Sequence, residues 1–316
     1  MYLYHFGLTE LPFTLTPNTN FFLPLEPHNE ALAVLMTALK TGEGFIKVVG
    51  EVGTGKTLLC RKLLNEIPEH FVTAYIPNPY LSPDELRRAV ALELGVKQAQ
   101  RMSVQLLTQR IQNRLLELHT KGHSVVLILD EAQALPAESL EALRLFTNLE
   151  TETRKLLQVV LFAQPELDQR LAQTEFRQLR QRITFSYQLR AMNAQEVQQY
   201  IQHRLQVAGY KGAALFSANL CKKMTKATNG TPRLVNVLCH KMLMLSYGQG
   251  HYQMTKKELT AAIKDTEAVS ANSLGYLSNN YLLAALGLLL IISSYVVLSS
   301  FLNINLFGVN FLGINL

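Results

Sequence analysis

An α/β fold built on a five-stranded parallel sheet, followed by a small helical region and an apolar tail, is what this chain predicts, and three observations predict it. Five short β-rich apolar runs fall between Phe45 and Tyr187. Stretches of helical period separate them, as crossover helices do in a parallel sheet. After Arg190 the strand signal stops. At 316 residues the chain also exceeds the roughly 100–200 residues of one domain, so more than one unit is expected.

The strand runs in order are FIKVVG at 45–50, FVTAYI at 71–76, SVVLILD at 124–130, LLQVVLFA at 156–163 and ITFSY at 183–187. Leu107, Ile111, Leu115 and Leu118 mark one helix stripe between them, and Leu140, Leu143 and Phe146 mark another. Beyond Arg190, Val197, Tyr200, Ile201 and Leu205 form a stripe, and Leu234, Leu238, Met242 and Leu245 form a second after the turn NGTP at 229–232. A further helix is expected to begin near Thr255, in TKKELTAAIKD. The expected division is therefore an α/β core with its N-terminal segment over 1–190, a helical lid over 191–267, a chargeless linker over 268–280, a membrane span over 281–302 and a short outer tail over 303–316.

The span follows from charge. All 30 Lys and Arg and all 24 Asp and Glu lie at or before Glu267. Residues 281–302 (YLLAALGLLLIISSYVVLSSFL) are mostly apolar, and about 20 such residues cross a bilayer as a helix. An amphipathic surface helix would carry a charged face, and this run has none. Lys256, Lys257 and Lys264 precede it and nothing basic follows, which is the arrangement of a single-pass inner-membrane protein with its large N-terminal part in the cytoplasm. The opening MYLYHFGLTELPF lacks the basic and apolar regions of a secretory signal. Cys60, Cys221 and Cys239 lie far apart without C-x-x-C spacing, so they read as reduced, buried cysteines rather than a disulfide or zinc framework. The net charge of +6 is spread along the chain and demonstrates no anionic partner.

The chemistry concentrates at two places. Gly50, Glu51, Val52, Gly53, Thr54, Gly55, Lys56 and Thr57 read GEVGTGKT, a full match to G-x-x-x-x-G-K-[ST], directly after a strand and before a helix that begins LLCRKLL with Leu58. Glycines there let backbone N–H groups wrap phosphate oxygens, and the helix N-terminus adds partial positive charge. Lys56 is expected to reach the β- and γ-phosphates of ATP, and Thr57 to offer its hydroxyl to Mg²⁺. The second place is VVLILDE at 125–131, an apolar strand ending in paired acids. Asp130 is expected to hold Mg²⁺ through water and Glu131 to orient the attacking water. Phosphoryl transfer also needs positive charge, for which Arg177, Arg180 and Arg182 before the fifth strand and Arg233 in GTPR are candidates. The N-terminal aromatics Phe6, Phe13, Phe21 and Phe22 are either core or a wall for the adenine ring, with His28 or Asn29 near its edge.

Taken together, GEVGTGKT, LILDEAQ, LFAQPEL, the arginine before the fifth strand and GTPR resemble an AAA+ ATPase. The resemblance implies ATP hydrolysis with Mg²⁺ in a homo-oligomer. It implies that Gln164 is the polar sensor closing the fourth strand and that Arg233 reads the γ-phosphate. Arg182, or else Arg180, completes a neighbour's site, and Asn78 after the second strand restrains Glu131. With YHFGLTELPFTLTPNTNFF, HNEALAVL and LRLFTNLET added, the chain is similar over about 270 residues to the ExeA-type secretion ATPases, and most like the short form that serves mannose-sensitive haemagglutinin pilus biogenesis. That resemblance implies pilus or secretion envelope components as partners. Long members of the type carry a peptidoglycan-binding domain that has no counterpart here, so peptidoglycan contact is not expected. A DNA-associated ATPase of transposition or initiator type, and an ATP-binding membrane scaffold with little turnover, remain as alternatives; the apolar tail speaks against nucleic acid.

Overall fold

A computed structural model describes residues 2–146, 155–269 and 293–294. Five strands, β1 (Phe45–Gly50), β2 (Phe71–Ile76), β3 (Ser124–Leu129), β4 (Leu157–Ala163) and β5 (Ile183–Leu189), form one sheet in the order β2-β3-β4-β1-β5. Every neighbouring pair is parallel. The helices are α1 (Leu3–Phe6), α2 (Glu26–Thr41), α3 (Lys56–Glu66), α4 (Pro83–Glu93), α5 (Val104–Thr120), α6 (Ala137–Phe146), α7 (Glu166–Leu171), α8 (Arg177–Arg182), α9 (Ala194–Val207), α10 (Ala218–Thr228), α11 (Pro232–Gly248) and α12 (Lys256–Lys264).

The strands that read as unbroken apolar runs are those covered on both faces, because successive side chains point to opposite sides of a sheet. Val126 and Ile128 of β3, with Val160 and Phe162 of β4, pack with Leu35 and Leu39 of α2 and Leu59 and Leu63 of α3. Their neighbours Val125, Leu127 and Leu129, with Val159 and Leu161, pack on the other side with Leu86 of α4, Ile111 and Leu115 of α5 and Leu140 of α6. Each such buried aliphatic side chain contributes roughly 1.5–3 kcal/mol. The edge strand β5 instead alternates, with Thr184, Ser186 and Gln188 exposed between half-buried Ile183, Phe185 and Tyr187.

Several helices, α2 and α10 among them, had no counterpart in the sequence reading, and α4 and α11 are instructive. The α4 helix had no expectation, although Ser82-Pro-Asp-Glu85 is a complete capping box in which the Ser82 N–H donates to Glu85 Oε2 at 2.8 Å. On α11 the buried face is Val235, Leu238, Cys239, Met242 and Leu243, so Leu238 and Met242 of the expected stripe are buried while Leu234 and Leu245 are only half-buried. All three cysteines are free and buried.

The chain divides into two compact units, 1–259 and 260–316. Helices α9 to α11 belong with the first because the N-terminal segment is tied to them. The Thr9 N–H donates to Ala208 O at 2.8 Å, and Asn236 Nδ2 to Thr14 O at 3.4 Å. Among the described residues no helix is long and apolar enough to cross a membrane. The 281–302 run lies outside the described residues except for Ser293 and Ser294.

Strand order positions the site. With β1 beside β4 and β4 beside β3, the residues that follow these three strands meet along one edge of the sheet: the loop after Gly50, Asp130 and Glu131 after β3, and Gln164 after β4. The carboxyl edge of an open parallel sheet is where such folds bind ligands.

Candidate functional site

The loop from Gly50 to Thr57 is made by backbone. Gly53 and Gly55 have φ of 80° and 102°, which favour glycine, and a Cβ on Gly53 would lie 2.6 Å from Arg233 Cβ. A Cβ on Gly55 would lie 3.2 Å from His28 Nε2. Thr54 Oγ1 donates to Glu51 O at 2.8 Å, closing the loop on itself. Lys56, the first residue of α3, is buried, and its Nζ donates to Gly50 O at 2.7 Å and to Glu51 O at 3.0 Å. Burial lowers its pKa, against the opposing pull of the Glu131 and Asp130 carboxylates. Glu51 and Val52 are exposed, and Leu58 is half-buried. The unpaired N–H groups of the first turn of α3 open toward the loop.

The acid pair is held by side chains. Asp130 is buried, accepts the Glu131 N–H on Oδ1 at 3.0 Å and is hydrogen-bonded to the Thr57 side chain. Burial pushes its pKa up, with the bonds from Thr57 and the Glu131 N–H opposing. Glu131 itself adopts a left-handed conformation at φ 55°, unusual for a residue with a side chain and typical of a constrained functional position. Its Oε2 accepts from Gln133 Nε2 at 2.5 Å and from Gln164 Nε2 at 2.9 Å, while Gln133 Oε1 accepts the Gln164 N–H at 3.0 Å. Arg170 Nη1 fixes the same loop by donating to Gln133 O at 2.8 Å and Leu135 O at 2.7 Å.

Sequence reasoning placed Asn78 as the restraint on Glu131. The structure corrects this: Asn78 is exposed, its Oδ1 accepts the Tyr80 N–H at 3.3 Å, and Gln133 joins Gln164 on the glutamate instead. Gln133 was missed, though it stands two residues after Glu131 in LILDEAQ, where a long amide can fold back on the acid.

The cations fall into two groups. Arg233 is exposed at the start of α11, lines the cleft beside Lys56, and its backbone N–H donates to Gly53 O at 3.3 Å. On α8, Arg182 is half-buried and donates through Nη1 to Arg144 O at 3.2 Å. Arg180 is exposed, with no hydrogen bond or ion pair among the described residues.

Lys56, Thr57, Leu58, Glu131, Gln164 and Arg233 line one cleft of about 200 Å³, whose far wall comes from Thr14–Asn18, Tyr200, Arg204 and Asn236. The N-terminal phenylalanines are not part of that wall. Phe6, Phe13 and Phe21 are buried core, and Phe22 packs edge-on against His28. Asn29 is occupied with Pro24 O at 3.1 Å.

The residues present fit a nucleotide with Mg²⁺. A glycine cradle that no Cβ would enter, a lysine amine within it and an adjacent helix N-terminus suit phosphate. The Thr57 hydroxyl in contact with the Asp130 carboxylate is a hard-oxygen pair of the kind Mg²⁺ takes beside phosphate oxygens.

Comparison with known proteins agrees. Residues 39–171 match the family described as an AAA domain. General secretion pathway protein A of Aeromonas hydrophila is 39% identical over 269 residues, which are 85% of this chain and 49% of that protein, so the chain spans about half the length of this relative. Among solved structures, ORC2 of Aeropyrum pernix is 16% identical with a TM-score of 0.57, over 78% of this chain and 68% of that one. Cdc6p of Pyrobaculum aerophilum is 16% identical with a TM-score of 0.58, over 79% and 71%. These two likenesses are of fold. The AAA-domain match spans both the loop and the acid pair at the edge of the sheet. Along most of its length, the protein it is similar to is General secretion pathway protein A.

Proposed function

We propose that the chain hydrolyses ATP at this cleft within an oligomer, and that it does so at a membrane in the service of a secretion or type IV pilus apparatus, of which mannose-sensitive haemagglutinin pilus biogenesis is the nearest case. The observation that carries the chemical part is the convergence of Lys56, Thr57 and Glu131 on one cleft, with Asp130 hydrogen-bonded to Thr57 behind it. Loop amides and Lys56 bind the phosphates, with Lys56 exchanging its carbonyl partners Gly50 and Glu51 for phosphate oxygens. Thr57 and Asp130 would hold Mg²⁺, which would supply positive charge against the phosphates. Glu131 accepts a proton from the attacking water as the bond from the γ-phosphorus to the bridging oxygen breaks, leaving ADP and phosphate. Gln164 and Gln133 aim the carboxylate, and Arg233 neutralises charge from the α11 side. Residues 191–267 act as the lid that carries Arg233.

An arginine from a neighbouring copy completes the site. Of the two candidates on α8, Arg180 is exposed without a partner among the described residues, whereas Arg182 is tied to Arg144 O, so Arg180 is the one able to reach across. Arg180→Ala alone should be inactive, and mixing it with Lys56→Ala should restore turnover, because the first keeps an intact loop and the second supplies the arginine. Turnover that stays absent in the mixture, with a rate strictly linear in protein concentration, would overturn the shared site.

The membrane reading rests on the chargeless 281–302 run, and the secretion reading on the similarity to General secretion pathway protein A. Flotation with vesicles of the full chain, compared with a chain lacking 281–302, tests it: an unchanged distribution after deletion would remove the anchor.

A further inference from the structure

The charge of the chain is unevenly shared. Residues 197–257, from α9 to the start of α12, hold nine Lys and Arg and no Asp or Glu, while the rest of the chain holds 21 basic against 24 acidic residues. The next carboxylate, Glu258, is buried and accepts the Thr255 N–H at 2.9 Å. Lys222, Lys223 and Lys226 on α10 and Lys257 on α12 are exposed and make no ion pair among the described residues. One patch of this basic region is also aromatic. His5 of α1 stacks on Tyr252 with ring centroids 4.1 Å apart and meets Tyr247 of α11 edge-on at 5.5 Å. Its Nε2 donates to His251 O at 2.8 Å, which fixes α1 to the turn after α11. Around it Tyr4, Tyr247 and Tyr252 are 97%, 46% and 65% exposed, and Met244, one helical turn before Tyr247, is 51% exposed. A cluster of large apolar side chains held in water marks a contact surface.

We infer that this patch docks on the headgroup layer of an anionic bilayer. Tyrosine suits that depth, because the ring enters the apolar boundary while its hydroxyl stays with the headgroups. Lysines near an anionic leaflet are attracted to it, and across 197–257 no carboxylate opposes them. Position in the chain selects lipid from among polyanions: Tyr252 is followed by Lys256 and Lys257, and only 23 residues separate Lys257 from the chargeless run at 281–302. The choice of lipid rests on the reading of that run as a membrane anchor. The anchor supplies proximity, and the patch adds an orientation that an anchor alone does not give. Tyr247 stands near the end of α11 and Arg233 at its beginning, so the bilayer grips the helix that meets the phosphate loop about 20 Å further along.

The chain contains no tryptophan, so Tyr252→Trp places a single fluorescent reporter in the patch. The full chain carrying it is reconstituted into vesicles of phosphatidylcholine alone, and of phosphatidylcholine with phosphatidylglycerol in a three-to-one ratio, each with brominated acyl chains as quencher. Both kinds of vesicle should retain the chain through 281–302, but only the anionic ones should quench the reporter. Raising the salt to about 0.5 M should abolish the quenching by screening the lysines. Lys257→Gln should lower the ratio of docked to free patch about fivefold, and Tyr247→Ser should lower it as well, both without changing retention. Quenching that is equal in the two kinds of vesicle, or absent from both while the chain is retained, overturns the docking and leaves the anchor standing. A reporter that answers to duplex DNA and not to phosphatidylglycerol overturns it in favour of nucleic acid. A chain that neither kind of vesicle retains sinks the anchor reading, and this inference with it.

Discussion

The loop Gly50–Thr57 and the carboxylate of Glu131 face the same cleft but are held in opposite ways. The loop is a run of contiguous residues whose work is done by backbone amides, with glycine required at 53 and 55 and with exposed side chains at Glu51 and Val52. Glu131 is held by side chains from different places: Gln133 in its own loop, Gln164 after β4, and Arg170 on α7 acting through the backbone at 133 and 135. A backbone site tolerates changes in most of its side chains. A side-chain site fails when any contributor is lost, because an amide or carboxylate left without its partner is misdirected and unsatisfied.

Substitutions can break that contrast or sharpen it. Glu131→Gln should lower kcat by about 10²- to 10⁴-fold while nucleotide affinity stays within a few-fold, as removal of a general base does; steady-state turnover beside a binding titration checks both halves. Lys56→Ala should weaken ATP binding by about 100-fold, since the one cationic side chain of the loop is lost. An unchanged dissociation constant would mean that the phosphates sit elsewhere. Gln133→Leu removes one of the two amides on Glu131 and should lower kcat about tenfold with KM unchanged, because the base is present but no longer aimed. A rise in KM alone would give Gln133 a binding role instead.

Asp130 separates function from stability. Its folded pKa is raised by burial, so its contribution to stability is present in acid and is lost as pH rises through the folded value; at neutral pH the ionised group is a cost. Asp130→Asn keeps the acceptor for the Glu131 N–H and should raise the melting temperature of the nucleotide-free protein by about 2–4 °C while abolishing Mg²⁺-dependent turnover. In the unaltered protein the acid limb of turnover should lie above the ordinary aspartate range, since a protonated Asp130 holds no metal. The smallest effect belongs to Val52→Ala, where an exposed side chain in a backbone-built loop should change neither affinity nor melting temperature measurably.

The same contrast decides what could be read from sequence. The inner strands β3 and β4 were legible because burial on both faces leaves an unbroken apolar run, the edge strands β2 and β5 by their β-branched and aromatic residues, and the loop because its function is contiguous. The α4 helix carried a readable Ser82–Glu85 signal that was passed over. On α11 only Leu238 and Met242 of the four stripe residues are fully buried, because apolar residues surround most of the helix and period alone does not choose a face. Asn78 was placed by analogy of position, and the actual brace came from an amide two residues beyond the acid. Arg204 and Asn236 could not have been found, since they reach the cleft only after α9 and α11 fold back against the first 25 residues. The long apolar run at 281–302, the strongest compositional signal in the chain, falls almost entirely outside the described residues.

Gly53 and α11 meet with no clearance. The Gly53 carbonyl accepts from the Arg233 N–H, and a single added methyl would already overlap the Arg233 side chain. At the other end of the turn a Cβ on Gly230 would lie 1.9 Å from Met192 O, and the Met192 N–H donates to Gly230 O at 3.0 Å. The phosphate loop and α11 are thus joined backbone to backbone, with no room at 53 or 230 for a side chain between them. Glycine at 53 and 230 is therefore as much a matter of mechanical fit as of ligand binding.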